Sequence, residues 1–156
     1  MRTAWRLVHQ NYLSSAFSGE GARLAGGRWN SGGGPVVYTA GSLSLAVLEI
    51  IVHLEFKEIL SLYKAIPISI PEAMLEAVDP VSLPSGWNKS VPDASTLLTG
   101  SHWIRSQSSV ALQVPSAIVP IESNILINPA HPKFQRLEVG EPMELPLDLR
   151  VLNKLK

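Results

Sequence analysis

The sequence predicts an α+β fold, a compact single domain with short mixed or antiparallel strands around a central buried helix. Three observations carry this. Several runs of β-branched and aromatic residues have strand length and are separated by glycine, proline and serine. One longer apolar stretch, "LSLAVLEIIVHLEF", follows a serine suited to capping a helix. The chain of 156 residues is 46% hydrophobic and 17% charged, which suffices for one real core. It has no repeats, charge blocks or linker rich enough to divide it.

Taken in order, "TAWRLVH" (3–9) reads as an opening strand and "PVVYTA" (35–40) as a second, with a glycine-rich loop between them. Ser42 then caps a helix running to Phe56. "LYKAIPISI" (62–70) alternates like a strand, and Pro67 within it predicts an edge or a bulge. Residues 79–92 read as a loop, and "DASTLLTGSHWIRS" (93–106) as a short helix interrupted near Gly100. "SVALQVPSAIV" (109–119) and "NILIN" (124–128) read as strands, "NPAHPKF" as a tight turn, and the tail from Gln135 to Leu152 as mostly extended.

Composition narrows the function classes. A formal net charge of zero counts against bulk nucleic acid as the main partner. It leaves room for a small anionic ligand held by one or two basic residues. Without cysteine, disulfides and cysteine-bound metals are excluded. His9, His53, His102 and His131 lack ligand spacing, so no metal site is expected. The N-terminus has no signal-peptide core and no apolar run approaches the roughly 18 residues of a membrane span. A cytoplasmic protein is the expectation.

The chemistry points to the helix behind Ser42. It has almost no polar face, and a helix apolar all round is expected to be buried. Glu49 sits in its middle, with His53 four residues on along the same face. An ionised carboxylate in a core costs several kcal/mol unless paired or hydrogen-bonded. Either Glu49 and His53 pair at the solvent edge, or Glu49 aims into a cleft, and the preceding loop favours the cleft. That loop places Arg28 and Trp29 between Gly26-Gly27 and Asn30. Glycine allows close backbone approach to a ligand, and a guanidinium fits a phosphate or carboxylate. Trp29 reads as core, lid or stacking platform; Tyr38, on the strand entering the helix, can sit near both Arg28 and Glu49. Gly19-Glu20-Gly21 lacks the third glycine of a dinucleotide fingerprint, and there is no Walker loop.

"SGEGARLAGGRWNSGGGPVVYTAGSLSLAVLEIIVHL" and the later "VALQVPSAIVPIESNILINPAHPKF" resemble the opening and closing signatures of RES-domain toxins. The resemblance implies one RES-type NAD-binding domain over residues 1–156, with a fold related to ADP-ribosyltransferases. It implies a bacterial type II toxin neutralised by an Xre-like helix-turn-helix antitoxin, with NAD⁺ as substrate rather than cofactor. Members consume NAD⁺ by hydrolysis or phosphorolysis, or transfer ADP-ribose to a protein. Carried onto this chain, the family arginine is Arg28, the aromatic Tyr38, the glutamate Glu49 and the serine Ser116, with Ser109 as the second candidate. Gly27, Trp29 and Asn128 complete the expected NAD-binding set, Asn128 having a turn as its alternative role. On this reading Ser116 completes the hydrogen bonding to ribose or nicotinamide. An antitoxin occluding the cleft is expected, and a homodimer is possible from the apolar content. The rival readings are a ribonuclease toxin using its histidines and a catalytically inert binding module.

Overall fold

The computed structural model describes residues 1–54 and 57–154. One sheet holds β1 (Arg2–His9), β2 (Val37–Ala40), β3 (Tyr63–Ile70), β4 (Leu75–Ala77), β5 (Ala111–Pro115), β6 (Ser123–Ile127), β7 (Glu138–Val139) and β8 (Met143–Glu144). Their order is β4-β5-β6-β2-β1-β3-β7, with β8 also paired to β3. Every pair is antiparallel except β4 with β5. Among the described residues, four α-helices accompany the sheet: α1 (Glu20–Ala25), α2 (Leu43–Ile51), α3 (Ala94–Ser106) and α4 (Leu149–Lys154). Among the described residues no helix is long and apolar enough to cross a membrane. The expected α+β class stands.

Strand alternation sorts the core. Val37, Ile125 and Ile127 share one face with Ala4, Ile68 and Ile70. The opposite face carries Tyr38, Ala40, Asn124 and Leu126. There α2 packs through Leu45, Ala46 and Val47, while Leu126 joins Trp29 and Trp103 in a cluster that includes α3. β1 pairs with β3 over eight register positions, but with β2 at only one, Trp5 opposite Ala40. Beyond that point the two strands part, and the space beside them is bordered by residues of β1, β2 and α2.

Several expectations need correction. α2 ends at Ile51, and its outer residue Leu48 and its C-cap Val52 are 42% and 58% exposed, so it is a layer laid on the sheet and not a central buried helix. The last expected residues of that helix, Glu55 and Phe56, lie outside the described residues. α3 runs unbroken through Gly100: a β-carbon there would lie 1.6 Å from the Trp29 carbonyl oxygen, so the glycine admits a crossing chain and does not end the helix. α1 lies within what reads as loop, and α4 within the tail expected to be extended. Pro67 falls where the outer partner of β3 is broken between β7 and β8. Its carbonyl accepts from Gly140 N at 2.8 Å on that side, so its missing N–H falls at the break.

Candidate active site

A cleft of about 1420 Å³ runs along the splayed face. Its walls include Arg6, Gly27, Arg28, Trp29, Tyr38, Glu49 and Asn124. Each is set by a local device. Ser42 caps α2, its Oγ accepting from Leu45 N at 3.1 Å, and the helix then brings Glu49 to the cleft wall. The carboxylate is half-buried and held by two donors, Ser116 Oγ at 2.8 Å and Asn124 Nδ2 at 2.5 Å, both on Oε1. No described residue donates to Oε2. The alternative, a Glu49–His53 pair at the solvent edge, does not form, because the helix ends first and His53 is exposed in the turn that follows.

Ser116 is buried, and its hydroxyl holds Glu49. Its hydroxyl donates to Glu49 and accepts from Ile118 N at 3.0 Å and Val119 N at 3.1 Å, which uses its one proton and both lone pairs. In this arrangement the hydroxyl serves Glu49 and the backbone, and not the ribose or nicotinamide contact expected of it. Ser109 and Asn128 are likewise absent from the cleft wall. Ser109 accepts from Trp103 Nε1 and donates to Ala111 O, and it borders a separate hollow of about 80 Å³. Asn128 Oδ1 accepts from Ala130 N at 3.0 Å, the turn role.

The glycine loop is pinned by Tyr38. Its hydroxyl donates to Asn30 Oδ1 at 2.7 Å and accepts from Trp29 N at 3.1 Å. Asn30 in turn donates to Ala22 O at the end of α1, at 2.9 Å. Burial pushes the Tyr38 phenol up to about 12, opposed in part by the Trp29 N–H and the Arg28 charge. Trp29 borders the cleft but is only 2% exposed, its ring packed in the core 6.1 Å from Trp87. It is an anchor, not a stacking platform. Arg28 Nη1 donates to Trp87 O at 3.1 Å, tying the loop to the segment that also brings Asn88, Ser90 and Pro92 to the cleft.

Two further wall residues, Asn124 and Arg6, are not among those expected from the sequence. Asn124 stands opposite Ala40 on β6. Arg6 belongs by alternation to the other face, yet its Nη1 donates to Tyr38 O at 3.0 Å across the gap between β1 and β2. Its Nε is buried with no partner among the described residues, and burial pushes the guanidinium below its ordinary range, an effect Tyr63 partly offsets. A signal for Arg6 exists: a charge inside the apolar run "TAWRLVH" calls for the same explanation as Glu49.

A half-buried carboxylate, two cationic side chains and an aromatic ring thus face one cleft. This is the equipment of a site that binds an anionic ligand and stabilises positive charge developing on it. The RES domain family model matches residues 3–148, so the chain belongs to the RES domain family. Within it, the chain falls among the Res toxins. It is 41% identical over 153 residues to Toxin Res of Photorhabdus laumondii, covering 97% of this chain and 98% of that one. It is 37% identical over 155 residues to the Prs ADP-ribosylating toxin of a Sphingobium species, covering 96% of each. The fold also matches the crystal structure of the MbcT-MbcA toxin-antitoxin complex of M. tuberculosis, with TM-score 0.68 and 19% identity, over 99% of this chain and 88% of that one.

Proposed function

We propose that this chain is the toxin of a toxin–antitoxin pair and that it cleaves the nicotinamide–ribose bond of NAD⁺. The observation that carries the reading is Glu49, a carboxylate locked by two donors on one oxygen and left open on the other, in a cleft with two arginines. Arg28 and Arg6 serve the pyrophosphate and adjoining ribose, and the ring of Tyr38 supports the nicotinamide. As the bond from C1′ to the nicotinamide nitrogen lengthens, positive charge grows on the ribose, as in glycoside hydrolysis, and Glu49 stabilises it. Nicotinamide leaves neutral, taking the bonding pair. Water or phosphate then adds at C1′; with water, the products are ADP-ribose, nicotinamide and one proton.

Transfer of ADP-ribose to a protein by the same site is the second reading. It is favoured by the resemblance to a relative named as an ADP-ribosylating toxin. The cleft is also where an antitoxin of the Xre type would act by covering Glu49 and Arg28. NAD⁺ turnover unchanged by a molar excess of the antitoxin would refute that block.

The test is NAD⁺ loss by purified protein, with and without phosphate, beside Glu49→Gln. Gln keeps the shape but loses the charge. NAD⁺ loss is expected to fall at least about 100-fold, the range seen when an electrostatic stabiliser is removed, with an unchanged circular dichroism spectrum. Equal rates for the two proteins would sink the reading. If loss requires cell lysate and label appears on one protein, transfer replaces hydrolysis.

A further inference from the structure

We propose that Asn124 is a second working residue of the cleft, its amide nitrogen fixing Glu49 and its amide oxygen receiving a hydroxyl of the substrate's ribose. The ribose half of this rests on the NAD⁺ reading above.

The argument starts with hydrogen-bond capacity. Ser116 and Asn124 converge on Glu49 Oε1, but the Ser116 hydroxyl has nothing left to offer a ligand. Asn124 does. The atom 2.5 Å from the carboxylate must be its NH₂, because two acceptors would repel, so the carbonyl points elsewhere. That carbonyl oxygen, Oδ1, is buried and accepts from no donor among the described residues. An unpaired buried acceptor is costly, and cores rarely keep one without a use. It belongs to a cleft-lining residue on a paired strand, with Val114 of β5 on one side and Ala40 of β2 on the other, so its position is rigid.

Among the described residues, two acceptors are therefore left without a donor on this pair of cleft-lining residues, Glu49 Oε2 and the buried Asn124 Oδ1. Neighbouring acceptors suit a ligand with neighbouring donors, and a ribose supplies them in its vicinal 2′- and 3′-hydroxyls. Asn124 both orients the carboxylate and shares the diol with it.

The test compares Asn124→Ala and Asn124→Asp with wild type in three measurements: NAD⁺ turnover from pH 5.5 to 8.5, turnover of NAD⁺ analogues lacking the 2′- or 3′-hydroxyl of the nicotinamide ribose, and growth arrest on controlled expression. Asn124→Ala is expected to lower kcat by about 100-fold and to abolish growth arrest while melting cooperatively. At least one deoxy analogue should slow wild type markedly and leave the residual Asn124→Ala rate unchanged. Asn124→Asp gives the signature a structural role would not. The introduced carboxyl, when protonated, can donate to Glu49 as the amide does, whereas its ionised form repels Glu49. The rate of this variant relative to wild type should therefore rise as pH falls, and the Ala ratio should stay flat. Asn124→Ala rates and growth arrest within threefold of wild type would overturn the proposal, as would a flat Asp ratio. If wild type arrests growth without consuming NAD⁺, the NAD⁺ reading falls and growth arrest by the two variants still judges Asn124. If wild type does neither, the Asn124 side-chain amide resonances decide: a shift in Glu49→Gln supports the bridge, and no shift overturns it.

Discussion

A single phenol organises the glycine loop. Tyr38 can lie against Gly27 because that residue lacks a β-carbon, which would sit 2.6 Å from the hydroxyl; the hydroxyl then bridges Asn30 and Trp29. The same burial that holds the phenol also keeps it protonated, raising it from 10.0 to about 12. A raised folded value means the neutral form is favoured by folding. That stability is fully present below pH 10 and is lost as pH rises from 10 towards 12, on the order of 2–3 kcal/mol in all. Urea midpoints of wild type should therefore fall between pH 9.5 and 11.5 by more than those of Tyr38→Phe; equal falls would contradict the assignment. At pH 8, Tyr38→Phe keeps the ring but frees the loop, so NAD⁺ affinity should suffer more than kcat, with KM rising at least about tenfold for the loss of the hydroxyl's two hydrogen bonds.

At the scale of elements, legibility follows the range of the cause. β1, β2, β3, β5, β6 and the start of α2 are visible in the sequence because side-chain alternation and the Ser42 cap are local signals. α3 reads as broken because Gly100 is a poor helix former taken alone; the reason for the glycine is Trp29, far earlier in the chain and invisible to any window. α1 is lost among glycines for the same kind of reason. Its end is fixed by Asn30 through Ala22 and by the Gly26 N–H on the same carbonyl. In the site, Glu49 is legible by its cost in an apolar helix, while Ser116 is reached only by resemblance, which does not foresee its bond to Glu49. Asn124 carries no local signal at all. The clash makes a prediction contrary to helix propensity. Gly100→Ala should gain about 1 kcal/mol in an exposed helix, yet here it must displace the Trp29 carbonyl, so overpacking of about 1–3 kcal/mol or more should dominate. Urea denaturation should show net destabilisation, and a stabilised variant would mean the helix and loop do not cross as described.

On the scale of the whole molecule, the cleft exists because the sheet is allowed to come apart. β1 is bound to β3 along its length but touches β2 at one register position, so the ladder that would continue past Trp5 and Ala40 is missing. The Arg6 guanidinium stands in for it, giving the Tyr38 carbonyl the donor that a neighbouring strand would have supplied. This is a poor structural bargain in isolation, since Arg6 is desolvated and, among the described residues, its Nε has no partner and it has no ion pair. A buried cation of this kind is often replaced by an apolar side chain of similar length at little or no cost in stability. Arg6→Met should therefore melt at or above the wild-type temperature while losing NAD⁺ turnover by at least about 100-fold, if the guanidinium is kept for the ligand's negative charge. Thermal melts and turnover on the same preparation separate the two roles. A variant that keeps turnover but melts lower would make Arg6 a strut for the splayed sheet. The expected result would instead mean that the gap, the arginine within it and the carboxylate across it are one device, with stability given up at β1 to leave a charged wall for the substrate.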